Sequence, residues 1–441
     1  MNIALVSLQF EETATGGGGV HVKSICEQFL KHGHSVTLLS IHSEKTLDSA
    51  DLLNEWYVQY SIQDRGRLSI IRFLIDKGIS HPYEGDKDIE LDRIQWFADV
   101  VIRWLKTRQD EFDVVNLHGH HIIPDLIAKK LQGSRPKIVS TVHALESTYI
   151  SKKGESLARF KASDKLLILL RKWESMCRFS DFIILNSPVA CNDFKEILDT
   201  QNVDFNKFES KIKLISSGCN ENFLMSDRKI SRKLSRIPDK INLITFSRID
   251  PSKGIEYSIS GAKSAARKCP HKLCLTIAGI AESNAYLSKI RSEMENHPEN
   301  LTIKLKQFNA ISPPSEKKEI LDDKHIYIFP TLKEPFGMSL IEASARGNML
   351  VSTDNTGPRY MIESDQTADF DWGVVTQYGI LAKITEDHKK TLPENIGSAI
   401  VWAIENWKHC SQKTLAFNKK IRQKWIWEEI ARQYLELFRG V

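Results

Sequence analysis

A stretch near residue 330 changes from a strand pattern to a helix pattern, and it constrains the fold more than any other part of the sequence. The segment His325-Ile-Tyr-Ile-Phe-Pro330 is apolar and typical of a buried strand. Pro335 and Gly337 then mark a turn. Apolar residues follow at helical spacing, at Met338, Ile341 and Ala345, and Gly347 is a typical helix stop. The stretch therefore predicts a strand, a glycine-containing turn and a helix.

The same stretch places two carboxylates beside the predicted start of a helix. Glu334 lies in the turn, and Glu342 lies about one helical turn inside the helix. The first backbone N–H groups of a helix have no partner within it, so they suit phosphate or sugar oxygens. With two carboxylates nearby, the pattern favours a ligand that has phosphate in the middle and hydroxyl groups at both ends, such as a nucleotide-sugar. A solvated turn residue and a helix-surface charge explain the pattern equally well at this point.

The length and composition predict a soluble protein of two domains. A chain of 441 residues suits two domains of roughly 200 residues each. No apolar run reaches the ~18 residues of a membrane span, and the first residues enter a strand pattern at once without a signal peptide. The seven cysteines are scattered without a C-x-x-C pair, which predicts neither disulfides nor a zinc site and fits a cytoplasmic location. The net charge of +5 is mild and suggests anionic small molecules or a lipid surface as readily as nucleic acid, and no nucleic-acid partner is expected.

A glycine loop follows the first predicted strand. The strand Asn2 to Leu8 leads to four glycines at positions 16–19, and helical spacing continues to Leu30. The glycines allow close approach of a ligand to the backbone. However, they do not fit G-x-G-x-x-G or a P-loop, and no acidic residue ends the second strand. From the residues alone, a plain glycine turn is the simpler interpretation.

Histidines follow two further predicted strands. His118, His120 and His121 come after the strand 113–117, but no neighbouring Cys or Glu completes a usual metal site, so no metal is expected. His143 ends the strand that begins at Lys137, and ligands of open parallel sheets bind beyond such strand ends. His143 could bind sugar hydroxyls or phosphate there, or it could satisfy a loop carbonyl.

A polar segment from Ser226 to Lys240 reads as a linker to a second sheet. The first strand of that sheet, Asn242 to Phe246, is followed by Arg248 and Lys253 around a proline-containing turn. A guanidinium and an ammonium in this arrangement could hold a diphosphate from two directions. Taken alone, a solvated basic loop is the simpler interpretation.

Four of these segments together resemble the family-four retaining glycosyltransferases of GT-B fold. The resemblance rests on the Gly-Gly of the first loop, Thr-x-His ending at His143, Arg-x-x-x-x-Lys-Gly from Arg248, and Glu-Pro-Phe-Gly followed by Glu342-Ala. It implies an α/β protein with two doubly wound Rossmann-like domains that face each other across a cleft. The first would bind the acceptor and span residues 1–218, joined by a C-terminal helix at 420–441 that crosses back to it. The second, residues 219–419, would bind the nucleotide-sugar donor.

The resemblance also implies roles for single residues. Gly16 and Gly17 would face the donor, His143 would lie in the donor site, and His118 would line the acceptor side. Arg248 and Lys253 would stabilise the departing diphosphate. Glu334 would hold hydroxyls of the donor sugar and Glu342 the ribose hydroxyls. The helix N-terminus would assist at Phe336, Gly337, Met338, Ser339 and Leu340.

The sequence departs from the family at a few of these positions. Asn116 stands where a first histidine of an H-x-H segment is usual, Ser247 stands where glycine is usual, and Thr356 replaces the first glycine of a Gly-Gly-Pro turn. The departure at Asn116 leaves the role of His118 less firmly implied than the others.

The implied activity is the retaining transfer of a sugar from a nucleoside-diphosphate-sugar to an acceptor hydroxyl or amine, without a metal or another cofactor. Retention is usually assigned to a front-face substitution, and a Glu334 nucleophile is the minority idea. The acceptor would be a small molecule, a glycan or a lipid-linked compound. A nucleotide-sugar epimerase or hydrolase of the same architecture is the alternative, as is a non-catalytic nucleotide-sugar-binding subunit. The intact Arg, Lys and Glu set argues against the last of these.

One basic, apolar segment raises the question of membrane contact. Lys152 to Phe179 could form an amphipathic helix that touches an anionic membrane. A half-buried helix that packs on the sheet is the commoner explanation, and we prefer it.

Overall fold

The computed structural model describes residues 1–11, 17–43, 46, 51–55, 58–75, 87–119, 127–128, 130–131, 136–143, 173–200, 202–281, 283–308, 314–332, 334–362 and 366–440. The chain forms two compact units. The first consists of Met1–Ser217 and Trp427–Val441, and the second consists of Gly218–Ile426.

The first unit is built on a mainly parallel sheet. Its strands are β1 Asn2–Val6, β2 Ser35–Ile41, β3 Leu53–Glu55, β4 Val58–Arg65, β5 Leu68–Phe73, β6 Val114–Gly119, β7 Lys137–Val142, β8 Phe182–Leu185 and β9 Ile212–Leu214. Their order is β3-β4-β5-β2-β1-β6-β7-β8-β9. Only β4 runs antiparallel to its neighbours β3 and β5 within this described sheet. The central strands are apolar along their length because helices cover both faces of such a sheet.

The helices of the first unit connect these strands. They are α1 Gly17–Lys31, α2 Lys87–Lys106, α3 Trp173–Phe179 and α4 Pro188–Thr200. The segment that raised the question of membrane contact lies partly outside the described residues, at 152–172, and its end forms α3.

The second unit is built on another mainly parallel sheet. Its strands are β10 Lys240–Phe246, β11 Lys272–Ile280, β12 Leu301–Phe308, β13 Ile326–Phe329, β14 Met349–Thr353, β15 Gln366–Phe370, β16 Gly373–Thr376 and β17 Ile380–Ala382. Their order is β12-β11-β10-β13-β14-β17-β16-β15. The strands from β12 to β17 in this order are parallel, and β16 runs antiparallel to both of its neighbours, β17 and the edge strand β15.

The helices of the second unit alternate with its parallel strands. They are α5 Asp227–Lys233, α6 Ile255–Lys268, α7 Asn284–Glu293, α8 Pro314–Asp322, α9 Met338–Ala345, α10 Thr356–Ile362, α11 His388–Glu405 and α12 Trp407–Lys424. The prediction of two doubly wound α/β domains is therefore confirmed.

The last helix, α13 Trp427–Arg439, belongs to the first unit, whereas residues 420–424, which the resemblance placed with this helix, are part of α12 in the second unit. Its apolar stripe is buried, and the Lys137 ammonium donates a hydrogen bond to the Phe438 carbonyl over 2.9 Å. Trp425, between α12 and α13, has a non-helical backbone with φ −129° and ψ 36°. None of the described helices has the length and apolar character needed to cross a membrane.

Candidate functional site

The predicted basic and acidic residues of the second unit lie where the strand order of its sheet reverses. The chain leaves β10 towards β11 on one side and leaves β13 towards β14 on the other side. Lys253 follows β10, and Glu334 follows β13. In doubly wound sheets, ligands bind beyond the carboxyl ends of the strands at such a switch point.

The structure brings Lys253 and Glu334 into contact. The Lys253 Nζ lies 2.8 Å from Glu334 Oε2, and the two side chains are only 18% and 16% exposed. Asp250 caps the short turn before Lys253 by accepting a hydrogen bond from the Ser252 N–H over 2.9 Å. The Thr331 hydroxyl donates to the Ser252 carbonyl over 3.3 Å, so the two loops are also tied through the backbone.

The start of helix α10, after β14, fixes the backbone of Glu334. The Gly357 N–H donates to the Glu334 carbonyl over 2.9 Å. A Cβ on Gly357 would lie 2.2 Å from that same carbonyl oxygen, so only glycine permits this approach. The glycine of the Thr356-Gly357-Pro358 turn therefore positions Glu334.

Helix α9 begins where the sequence predicted it. Gly337 precedes the helix with φ 104°, in the left-handed region that favours glycine, and the Leu340 N–H bonds to the Gly337 carbonyl over 3.0 Å. Met338 and Ser339 are partly exposed, whereas Phe336 and Leu340 are buried. The positive end of the helix dipole thus lies directly after the loop that holds Glu334.

Glu342 lies one turn inside α9 and has a cationic partner that the sequence did not suggest. Lys317 Nζ on α8 is 3.7 Å from Glu342 Oε1, and the side chains are 16% and 11% exposed. The same ammonium lies 5.7 Å from the ring centroid of Phe246, at the end of β10. Lys317 gave no signal in the sequence because it is one charge among four in Glu316-Lys-Lys-Glu319.

Tyr327, on the strand that precedes Glu334, was also missed. It is fully buried on β13, and its hydroxyl donates to the Phe246 carbonyl over 2.8 Å. Burial raises the pKa of Tyr327, and the charges of Glu342 and Glu334 raise this pKa further. The phenol therefore stays protonated and acts as a hydrogen-bond donor. Its signal was hidden in an apolar strand pattern.

Arg248 lies in the loop between β10 and the turn of Lys253, and it is exposed. The Ser247 hydroxyl donates to the Arg248 carbonyl over 3.1 Å. The serine that replaces the usual glycine therefore bonds within its own loop.

The first unit gathers three histidines near the ends of its central strands. His118 is on β6, His143 directly follows β7, and His21 is on α1, which follows β1. His118 Nδ1 lies 3.2 Å from His143 Nε2, and the ring centroids of His21 and His143 are 4.8 Å apart. Burial lowers the pKa values of His21 and His118 well below their ordinary value, and the neighbouring histidine charge lowers both further. Both rings are therefore neutral at pH 7.

His21 is a residue of this cluster that sequence reasoning missed. Its Nδ1 lies 3.1 Å from the Ser217 hydroxyl, and its Nε2 lies 3.1 Å from the Tyr434 hydroxyl on α13. The sequence showed only apolar spacing around His21, and no local pattern indicates partners so distant along the chain.

The glycine loop is described only in part. Gly17 is exposed at the first position of α1, whereas Gly16 lies outside the described residues. The Gly19 N–H donates to Gln9 Oε1 over 3.1 Å, so a side chain from the segment after β1 binds the start of α1. Within the described part of the chain, no group of three His, Cys, Asp or Glu side chains could hold a metal ion. His120 and His121 lie outside it.

Two family profiles match most of the chain. "Glycosyltransferase Family 4" matches residues 15–207, and "Glycosyl transferases group 1" matches residues 226–370. The first match falls in the first unit and the second in the second unit.

Individual proteins show the same relationship at low identity. The chain is 21% identical to an uncharacterized glycosyltransferase of Methanocaldococcus jannaschii, over 100% of this chain and 98% of that protein. The structure of sucrose-phosphate synthase from Thermosynechococcus elongatus aligns with a TM-score of 0.70 at 15% identity, covering 100% of this chain and 98% of that one. The structure of HepE from Anabaena in complex with UDP-glucose aligns with a TM-score of 0.66 at 14% identity and covers 100% of both chains. With the motifs in order and the fold in common, the chain belongs to the family-four glycosyltransferases of GT-B fold.

Proposed function

We propose that this protein transfers a sugar from a nucleoside-diphosphate-sugar to an acceptor hydroxyl or amine, with retention at the anomeric carbon and without a metal. The observation that carries the proposal is the contact of Lys253 with Glu334 at the switch point of the second sheet, directly before helix α9. A cation, a carboxylate and a helix N-terminus at one strand end suit a ligand that contains both phosphate and hydroxyl groups.

The positive groups would stabilise the leaving diphosphate. Negative charge develops on the phosphate oxygen as the bond to the sugar breaks, and preorganised positive groups lower the energy of that transition state. Lys253, Arg248 and the N–H groups at the start of α9 supply such a potential. This set makes a metal ion unnecessary for the proposed reaction.

The carboxylates would orient the donor. Glu334 would accept hydrogen bonds from hydroxyls of the donor sugar, and Glu342 from the ribose hydroxyls. Lys317 pairs with Glu342, so it would lie at the nucleoside end of the donor. His143, which follows β7 in the first unit, would bind a donor hydroxyl or phosphate oxygen.

The transfer would proceed as a front-face substitution. The bond between the anomeric carbon and the diphosphate oxygen breaks, and a bond to the acceptor oxygen or nitrogen forms on the same face. The acceptor proton passes to an oxygen of the departing diphosphate. In this scheme Glu334 binds hydroxyls of the donor sugar and does not act as a nucleophile.

The similar proteins support the class of donor. HepE of Anabaena is described in complex with UDP-glucose and, in another structure, in complex with UDP. We therefore expect a uridine diphosphate sugar to be the first donor worth testing, with a sugar or a glycan among the acceptors.

A binding screen followed by turnover tests the proposal. Isothermal calorimetry with UDP, GDP and ADP should give single-site binding for at least one of them, and the melting temperature should rise with its concentration. Glu342→Ala should weaken this binding at least about tenfold, as expected for the loss of hydrogen bonds to a charged group. Addition of a chelator should leave the transfer rate unchanged.

Product analysis separates the proposal from its alternatives. Transfer to an acceptor with retained anomeric configuration supports it. Equal consumption of the donor without any acceptor would indicate an epimerase or hydrolase instead. Binding without turnover on a broad panel of acceptors would indicate a binding subunit. Absence of binding to every diphosphate would contradict the proposal altogether.

A further inference from the structure

Asn116 and His118 form a chain of hydrogen bonds that ends at His143. Asn116 Oδ1 lies 2.6 Å from His118 Nε2, and His118 Nδ1 lies 3.2 Å from His143 Nε2. Asn116 and His118 lie on the same face of β6 because they are two residues apart in a strand. Both side chains are fully buried, with no exposed surface. Neither can contact a ligand directly while it stays there.

A backbone carbonyl determines which group donates in each hydrogen bond between Asn116, His118 and His143. Asn116 Nδ2 lies 3.1 Å from the Val139 carbonyl oxygen, which can only accept a hydrogen bond. The amide of Asn116 must therefore donate there, and its Oδ1 must be the atom that faces His118. An amide oxygen can only accept, so His118 Nε2 carries a proton.

The same logic extends to His143. The burial of His118 keeps it neutral, so a proton on Nε2 leaves Nδ1 as an acceptor. Its neighbour, His143 Nε2, must then be the donor of the 3.2 Å bond. If the His143 ring carries one proton only, its lone pair is then on Nδ1.

We propose that Asn116 and His118 act as positioning residues that hold His143 in the tautomer with a proton on Nε2 and a lone pair on Nδ1. The inference deepens the proposed function, since its effect on sugar transfer rests on the assignment of His143 to the donor site. It also gives His118 a role that acts through His143, in place of direct contact with the acceptor.

Two substitutions of His118 by side chains of nearly equal shape separate the effect of its hydrogen bond to His143 from the effect of its packing. His118→Asn places a carbonyl oxygen close to the position of Nδ1 and can still accept from His143, whereas His118→Leu cannot. Both side chains are smaller than histidine and leave a cavity of similar size, so the free energy of unfolding should fall by a similar amount in both variants. Asn116→Leu removes the oxygen that fixes His118 and serves as a third variant.

Nitrogen NMR of ¹⁵N-histidine-labelled protein at pH 8 reports the tautomer directly, because protonated and unprotonated ring nitrogens have separate chemical shifts. The His143 signal is assigned by its absence in His143→Gln. The wild type and His118→Asn should show His143 with a protonated Nε2, and His118→Leu and Asn116→Leu should show a mixture of tautomers.

With a donor identified, the kcat of His118→Leu should fall about tenfold or more below that of His118→Asn, at an unchanged Kd for the nucleoside diphosphate.

The outcomes separate this inference from the proposed function. A protonated Nδ1 on His143 in the wild type would overturn the inference, and so would identical spectra and rates for the Asn and Leu variants. A fixed tautomer that depends on His118, in a protein that transfers no sugar, would support the positioning of the ring and contradict the proposed function.

Discussion

At the scale of single residues, the pair of Lys253 and Glu334 combines a structural contact with a proposed chemical role. The two charged groups lie 2.8 Å apart and are mostly buried. Removal of one partner takes away the attraction that offsets the burial of the other charge, which destabilises the fold whatever the function of the pair. A single substitution therefore does not distinguish the two roles.

A double-mutant cycle does distinguish them. Lys253→Gln and Glu334→Gln should each lower the free energy of unfolding by about 1–2 kcal/mol, a value reduced for their partial exposure. The double variant should recover part of that loss because neither charge remains. Turnover should fall about a hundredfold or more in Lys253→Gln and should not recover in the double variant, since the positive charge opposite the diphosphate is still missing. Urea unfolding and steady-state kinetics measure both quantities.

Another ion pair of the same unit serves as a control for this cycle. Lys268 Nζ and Glu394 Oε2 are 2.7 Å apart, but their side chains are 40% and 57% exposed, on helices α6 and α11. The same glutamine substitutions there should change neither stability nor turnover appreciably. Full recovery of turnover in the Lys253 and Glu334 double variant would show that the pair is only structural.

At the scale of helices and strands, local pattern predicted those parts of the site that a single segment builds. The change of period at Gly337 predicted the strand, turn and helix, and the structure has β13, a left-handed Gly337 and α9 in that order. The loop after β10 was placed equally well, since it directly follows a strand of regular apolar pattern.

Contacts between distant segments could not be predicted in this way. Lys317 reaches Glu342 from α8, and His21 meets Tyr434 on α13, which is 413 residues away in the chain. Such contacts depend on the strand order and on which helix face turns inward. The periodicity of one segment indicates neither the strand order nor the inward helix face, because it shows only that one face is apolar. His21 and Tyr327 were therefore hidden among core residues.

Helix α1 and strand β6 bury histidines, and this burial predicts that the folded state loses stability in acid. The pKa values of His21 and His118 are lowered mainly by burial. Burial also lowers the pKa of His42 to about 4. Below their ordinary pKa of about 6.5, these histidines bind protons in the unfolded chain but not in the folded one. Stability is therefore full above pH 6.5 and falls as the pH drops below it, with a slope that approaches about 1.4 kcal/mol per pH unit for each histidine.

Urea unfolding of the first unit between pH 7.5 and 5.5 tests this dependence. His118→Asn should have a lower free energy of unfolding than the wild type at pH 7.5. As the pH falls, this free energy should decline less steeply in the variant, because one histidine fewer takes up a proton on unfolding. A parallel decline in the wild type and the variant would show that His118 takes up a proton in the folded state.

At the scale of the whole molecule, the two units differ in how the chain completes them. The second unit is one continuous segment, Gly218–Ile426, with its own hydrophobic core. The first unit requires residues from both ends of the chain, because α13 packs against it. Tyr434 on α13 contacts the rings of His21 and Phe29, and Phe438 also contacts Phe29. The far C-terminus therefore forms part of the core beside the histidine cluster.

Truncation after Ile426 should consequently unfold the first unit and leave the second folded. The deletion removes the buried side chains of α13, which are Trp427, Ile430, Ala431, Tyr434, Leu435, Leu437 and Phe438. The large ones contribute up to about 1.5–3 kcal/mol each, so their sum is comparable to the 5–15 kcal/mol that stabilises a typical domain. Calorimetry should show the loss of one unfolding transition, while a nucleoside diphosphate still binds the second unit. A chain that ends at Arg439 is the control and should melt like the full protein. Two intact transitions after truncation at Ile426 would mean that α13 only covers a first unit already stable without it.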